Sequence, residues 1–261
     1  MNEEGRMYGY MTAEPEKSVY VKMPKGQNIA GYGVGILHLD NVWYPFVPGN
    51  VVNAWTYKFP VRYKAVQGLD TPTLHSGSDK AYEYILKAAK ELEKEGCRAI
   101  SAACGFFGNF QARLANDMDI PVAISSMVQI PWIRTLLKKD QKIGVMSANA
   151  TAISDKIIES CGIGNRDDLV FADLRHGESF KVIMEDLGAF DNAGVRNDVV
   201  NAAIKMVNEN PDIGAILLEC SDMPPYASEV QRVTGRPVFD FITLINWMEN
   251  AVQQKPYSGW I

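Results

Sequence analysis

The chain has 261 residues, of which 47% are apolar and 22% charged, with a formal net charge of −5. That length suits one large α/β domain or two smaller ones, with a core of ordinary size that needs no staples. The mild acidity, and the lack of any cluster of five Lys or Arg, argue against nucleic acid and against a membrane surface as partners.

In chain order, residues 1–30 read as a polar N-terminal arm. Its opening has no apolar stretch of the secretory kind, and no run reaches the roughly 20 apolar residues of a membrane span, so the expected location is cytoplasmic. "YGVGILHL" and "PVRYKAVQG" read as strands. "DKAYEYILKAAKELEKEG" has apolar residues at helical spacing, with Asp79 as its N-cap and Gly96 as its stop. "CRAISAAC" and "IPVAISS" are further strands, with a short helix between them. The second half repeats this order: strand "KIGVMSA", helix "TAISDKIIESCG", strand "DLVFADLRHG", helix "DVVNAAIKMVNEN", strands "IGAILLEC" and "RPVFDF". The last helix, "FITLINWMENAV", is expected to return to the first half. Alternating elements with unbroken apolar strands predict parallel sheets covered on both faces.

The repeat has a register. Val34, Gly35 and Ile36 match Ile143, Gly144 and Val145, and Gly68 matches Gly177. Farther on, Ile100 matches Ile216, Cys97 matches Ile213, Cys104 matches Cys220 and Pro121-Val122 matches Pro237-Val238, after an insertion around "AFDNAGVRND". The expected architecture is α/β, with two similar pseudo-symmetric lobes, each a parallel sheet flanked by helices, and the active site in the cleft between them. The lobes are residues 31–128 plus 241–261, and residues 129–240.

Cys104 and Cys220 then hold equivalent places, each ending a strand before a helix. Ligands of open α/β sheets sit beyond those strand ends, and a helix N-terminus favours a thiolate. Two opposed thiols suit removal of a proton from one face of a carbon and its return to the other. Cys97 and Cys161 read as inert packing residues. The cysteines lack CxxC spacing and the three histidines are scattered, so no metal and no cofactor is expected.

The motifs "AACGFF", "LLECSDMPPYA" and "GRPVFDFITLINW" resemble the aspartate/glutamate/hydantoin racemase superfamily over about residues 31 to 250. The resemblance implies a cofactor-independent isomerase, PLP-free, in which Cys104 and Cys220 act as the two bases of a racemase or epimerase. Its substrate would be a small carboxylate-bearing molecule such as an amino acid or hydantoin. Alternative readings are a maleate-type cis–trans isomerase on the same scaffold, or a binding protein without turnover. The chain departs from the glutamate racemase pattern. Gly105 and Phe106 stand where an Asn-Thr pair is usual, and Asp222 stands where a histidine is usual.

Substrate contacts are expected from strand ends and the turns after them: Asp40, Asn41, Ser125, Ser126, Ser147, Asn149, Gly105, Phe106, Ser221 and Asp222. Ser221 and Asp222 also suit helix N-caps. Trp43, Tyr44 and Phe107 are candidates for an apolar wall. Arg62 could pair a carboxylate and His176 could act as a relay, both as auxiliaries. The N-terminal arm and the tail "KPYSGWI" offer contacts for a homo-oligomer.

Overall fold

The structure, a computed structural model, describes residues 23–261. The first 22 residues, most of the expected arm, lie outside the described residues.

Strand β1 (Val34–Leu39) is followed by a long loop and β2 (Val61–Val66), then α1 (Thr71–Ser76), α2 (Asp79–Lys94), β3 (Ala99–Ala103), α3 (Gln111–Asp117) and β4 (Val122–Ala123). Helix α4 (Ile130–Leu136) leads to β5 (Lys142–Ser147), α5 (Asp155–Ser160), β6 (Leu169–Asp173), α6 (Lys181–Met184), α7 (Asn192–Glu209), β7 (Ile213–Leu218), α8 (Ala227–Thr234), β8 (Val238–Phe239) and α9 (Phe241–Val252). The strands form two parallel four-stranded sheets, ordered β2-β1-β3-β4 and β6-β5-β7-β8. Each sheet has the connectivity of the other, and the fold is the two-lobed α/β arrangement expected from the repeat.

The duplication reaches individual contacts. A Cβ on Gly35 would stand 2.9 Å from Leu92 of α2 and 3.1 Å from the Cys97 sulfur. One on Gly144 would stand 2.4 Å from Met206 of α7 and 3.3 Å from Ile213. In both lobes the first strand thus lets its crossover helix approach closely, and Cys97 packs where Ile213 packs. The insertion lies between α6 and α7, where residues 185–191 correspond to only Gly77 and Ser78 in the first lobe.

Helix α2 buries Ala81, Tyr82, Ile85, Ala88, Ala89 and Leu92, the stripe that its spacing implies. Its N-cap is Ser78, which accepts from the Ala81 N–H at 3.4 Å, and not Asp79. Asp79 already lies inside the helix and pairs with Arg113. Gly96, at φ +98°, lets the chain turn away. The expected helix over "TAISDKIIESCG" is shorter than its pattern. Residues 150–152 form a 3₁₀ turn, and Ser154 caps α5. Helix α9 begins at a capping box of Asp240 and Thr243. Its Phe241, Leu244, Ile245 and Met248 pack on Val34 and Ile36 of β1 and Ala99 of β3. No helix among the described residues is long and apolar enough to cross a membrane.

Candidate active site

Parallel strands that share a direction bring their C-terminal ends to one side. Cys104 directly follows β3, and Cys220 stands two residues beyond the end of β7. Cys104 is half-buried and Cys220 is buried. They lie close enough for the charge on one to act on the other, and Tyr44 is within reach of both.

Neither cysteine stands at an α-helix N-terminus, which corrects the expectation. Residues 105–110 and 224–226 form 3₁₀ turns, and helices α3 and α8 begin only after them. The consequence for the thiols is large. Burial pushes Cys104 up most and Glu219 pushes it further, while the Phe106 N–H pulls it back and Asp222 adds a smaller push. Cys220 is raised by burial, then by Asp222 and Glu219, against the Asp222 N–H. These effects favour the thiol form of both residues. Cys97 and Cys161 are also pushed up by burial, each to about 12.

Asp222 sits at the centre of the second lobe's half of the site. Its Oδ1 accepts from Asn50 Nδ2 at 2.5 Å, and its Oδ2 accepts from the Tyr44 hydroxyl at 3.2 Å and the Cys220 thiol at 3.5 Å. Burial raises this carboxyl, and these donors with Ser221 hold it back. Ser221 and Asp222 therefore cap no α-helix. Tyr44 and Asn50 come from the loop between β1 and β2, which crosses to the second lobe. That loop is fastened by Val51 N–H to Ser221 O (3.4 Å), Gly188 N–H to Trp43 O (2.8 Å) and Trp43 N–H to Asp186 Oδ1 (3.3 Å). Trp43 itself is 70% exposed, so of the aromatic pair Trp43 and Tyr44 only Tyr44 reaches the site.

On the other side, Glu219 is buried beneath Gly105. Ser147 Oγ donates to its Oε2 at 2.8 Å. Ser126 Oγ donates across the lobes to the carbonyls of Leu218 (3.2 Å) and Glu219 (3.4 Å). Ser125 accepts from the Met127 N–H and caps the turn of residues 126–129. Phe106 is buried with its ring 3.9 Å from that of His75, centroid to centroid.

The remaining expected residues scatter. Asp40 accepts from the Gly68 N–H at 3.1 Å, and with Asn41, His38, Phe46, Val52 and Tyr63 it lines a cavity of about 300 Å³ that neither cysteine lines. Asn149 accepts from Thr151 (2.9 Å) and Arg175 (3.4 Å). Arg62 pairs with Glu95 at 2.6 Å and sits opposite Gly35, near the N-terminal ends of the strands and away from the cysteines. His176 is exposed in the turn after β6. The sequence marks Tyr44 only as a pocket wall and gives Asn50, His75 and Glu219 no role in the site. Of these only Glu219 left a trace in the sequence, as an acid closing the apolar run "AILLEC". Among the described residues no group of three or more His, Cys, Asp or Glu is placed to hold a metal ion.

No protein-family model matches the chain. Among solved structures, the fold is similar to allantoin racemase from Pseudomonas fluorescens, with a TM-score of 0.57 at 13% identity over 87% of this chain and 99% of that one. It is also similar to arylmalonate decarboxylase, with a TM-score of 0.54 at 17% identity over 86% and 94%. These likenesses show the two-lobed α/β fold alone. Among curated proteins, a dimethylsulfoniopropionate lyase of Durusdinium sp. clade D is 31% identical over 247 residues, 91% of this chain and 81% of the relative. Dimethylsulfoniopropionate lyase 7 of Emiliania huxleyi is 28% identical over 236 residues, 87% and 69%. These relatives are named as lyases, which overturns the expected racemase or epimerase. The racemase scaffold hosts more than one reaction, and shared architecture does not settle what happens after a proton is lost. At this identity and coverage, the chain belongs to the dimethylsulfoniopropionate lyase family.

Proposed function

We propose that the chain is a lyase acting on dimethylsulfoniopropionate or a close β-sulfonio carboxylate, with Cys220 as base and Cys104 as the opposing acid. The observation that carries this reading is the kinship to the Durusdinium lyase over 91% of the chain. The chemistry follows from the substrate. A carboxylate on one carbon makes that carbon's proton removable, and a sulfonium on the next carbon is a leaving group. The Cys220 thiolate takes the proton, the electron pair left behind forms the C=C bond, and the C–S bond breaks. Dimethyl sulfide departs neutral, acrylate remains, and Cys220 holds the proton.

The charges in the site support this division. The two acids at the thiols, Asp222 and Glu219, are buried, and among the described residues no lysine or arginine is among the groups acting on either thiol. A fixed positive charge entering such a cleft is attracted and favours the thiolate. Asp222 holds the Cys220 thiol by a hydrogen bond and stands ready to take its proton, with Tyr44 and Asn50 keeping the carboxyl in place. Cys104, as a thiol, can donate to the substrate carboxylate while it gains negative charge in the transition state.

Headspace gas chromatography of purified protein with dimethylsulfoniopropionate tests the proposal. Dimethyl sulfide should appear. Cys220→Ala should lose roughly 10³-fold or more of the rate and Cys104→Ala roughly 10²-fold, the range of a lost acid or base. Absence of dimethyl sulfide from the wild type, or full activity in Cys220→Ala, would overturn it.

A further inference from the structure

Glu219 is a buried carboxyl that the elimination does not itself require. Its side chain leaves the end of β7 in the second lobe and enters the first. A Cβ built on Gly105 would stand 1.6 Å from its Oε1 and 2.3 Å from its carboxyl carbon, so the acid fills the space that a side chain at position 105 would take. Residue 219 is 1% exposed. Ser147 serves Oε2, and Ser126 holds the Glu219 carbonyl. Oε1 is buried and has no hydrogen-bond partner among the described residues. An unpaired acceptor in so dry a place is costly, and a function is the ordinary reason for keeping it.

The neighbours define what the carboxyl can act on. Its charge is felt by Cys104 at the end of β3, by Cys220 after β7 and, more weakly, by Cys161 at the end of α5. Asp222, also after β7, acts on the same two site thiols. Among the described residues no lysine, arginine or histidine is among the groups that act on Glu219. Cys104 answers to Glu219 more than to any other charge.

We propose that Glu219 is a positioning residue whose carboxylate, lodged against Gly105, adds to burial in holding Cys104 as a thiol. The inference concerns the site assigned above and rests on Cys104 belonging to it, but not on the reaction being an elimination. It accounts for Gly105, whose missing side chain leaves the space that the carboxyl fills. Burial raises the Glu219 carboxyl to about 7, with Ser147 pulling it back. Below that pH the acid is neutral and exerts no hold. Above it the carboxylate repels a charge on Cys104.

The test is the rate at which iodoacetamide labels Cys104, followed by mass spectrometry of its peptide from pH 5.5 to 9.5. Glu219→Gln keeps the volume and an acceptor for Ser147 but has no charge. Its labelling should match the wild type at pH 6 and exceed it by roughly tenfold at pH 8.5, the effect of one unit in a thiol pKa. A merely structural role would change labelling at both pH values. The wild-type curve supplies a second measurement that needs no variant. It should flatten near pH 7, where the carboxylate forms. Labelling of Glu219→Gln parallel to wild type throughout, or a wild-type curve with no inflection near 7, overturns the proposal. Either result leaves the release of dimethyl sulfide, and so the lyase reading, untouched.

Discussion

Gly105 and Glu219 form a pair across the lobes whose members make sense only together. Gly105 is not among the residues with positive φ, so its backbone would accept alanine. The obstacle is the Glu219 carboxyl. Gly105→Ala should therefore destabilise by about 1–3 kcal/mol or more, the cost of overpacking a closed site. Glu219→Ala removes the obstruction and leaves a cavity, so the double variant should be more stable than the sum of the two single changes predicts. Urea denaturation of all four proteins measures this, and additive losses would show that the two residues do not compete for one space. Residue by residue, the sequence disclosed what the duplication marks. Cys104 and Cys220 stand out because each has its counterpart in the other lobe. Glu219, Tyr44 and Asn50 have no such mark. Their importance comes from contacts between positions as far apart as Asn50 and Asp222, and no local pattern records those.

Among the elements, the strands and the longer helices were legible because each is driven by its own apolar pattern. All eight strands lie within the runs that suggested them. The short segments after the cysteines were not legible. "GFFGNF" and "PPY" have composition compatible with a helix start, yet tight 3₁₀ turns delay the helix and remove its dipole from the thiol. The loop of residues 41–60 is the other element that the sequence left unread. It has little regular structure, apart from the 3₁₀ turn Ala54–Thr56, and it takes its shape from what it touches in the second lobe. Asn50 is 2% exposed and its side chain also accepts from the Val52 N–H at 2.9 Å, so it ties the loop to itself as well as to Asp222. Asn50→Ala should cost about 1–3 kcal/mol, because buried acceptors and donors lose their partners. Tyr44→Phe, which deletes one weaker bond, should cost less. The expected readout is a lower urea midpoint with an unchanged slope. Asn50→Ala at wild-type stability would mean that the loop is held elsewhere.

At the scale of the whole molecule, two copies of one architecture share more than a cleft. The apolar cluster that fills the first lobe through Leu37, Ile85 and Phe107 continues without a break into Ile157 of α5 and Ile143, Val145 and Leu217 of the second sheet. Polar contacts follow the same seam. The Ala112 N–H donates to Ser160 (3.0 Å), and Lys156 donates to the Gly77 carbonyl (2.7 Å). Helix α9 returns to cover β1 and β3 of the first sheet. Lobes joined only at a hinge would each keep a separate core and could melt separately. Here, opening one lobe would expose the apolar surface of the other. The described residues should therefore unfold in one cooperative transition, with calorimetric and van't Hoff enthalpies agreeing. Near 60 °C the enthalpy should be on the order of 0.7 kcal/mol per residue. Two resolved transitions in differential scanning calorimetry, or loss of near-ultraviolet circular dichroism before far-ultraviolet signal, would show that the shared core does not couple the lobes.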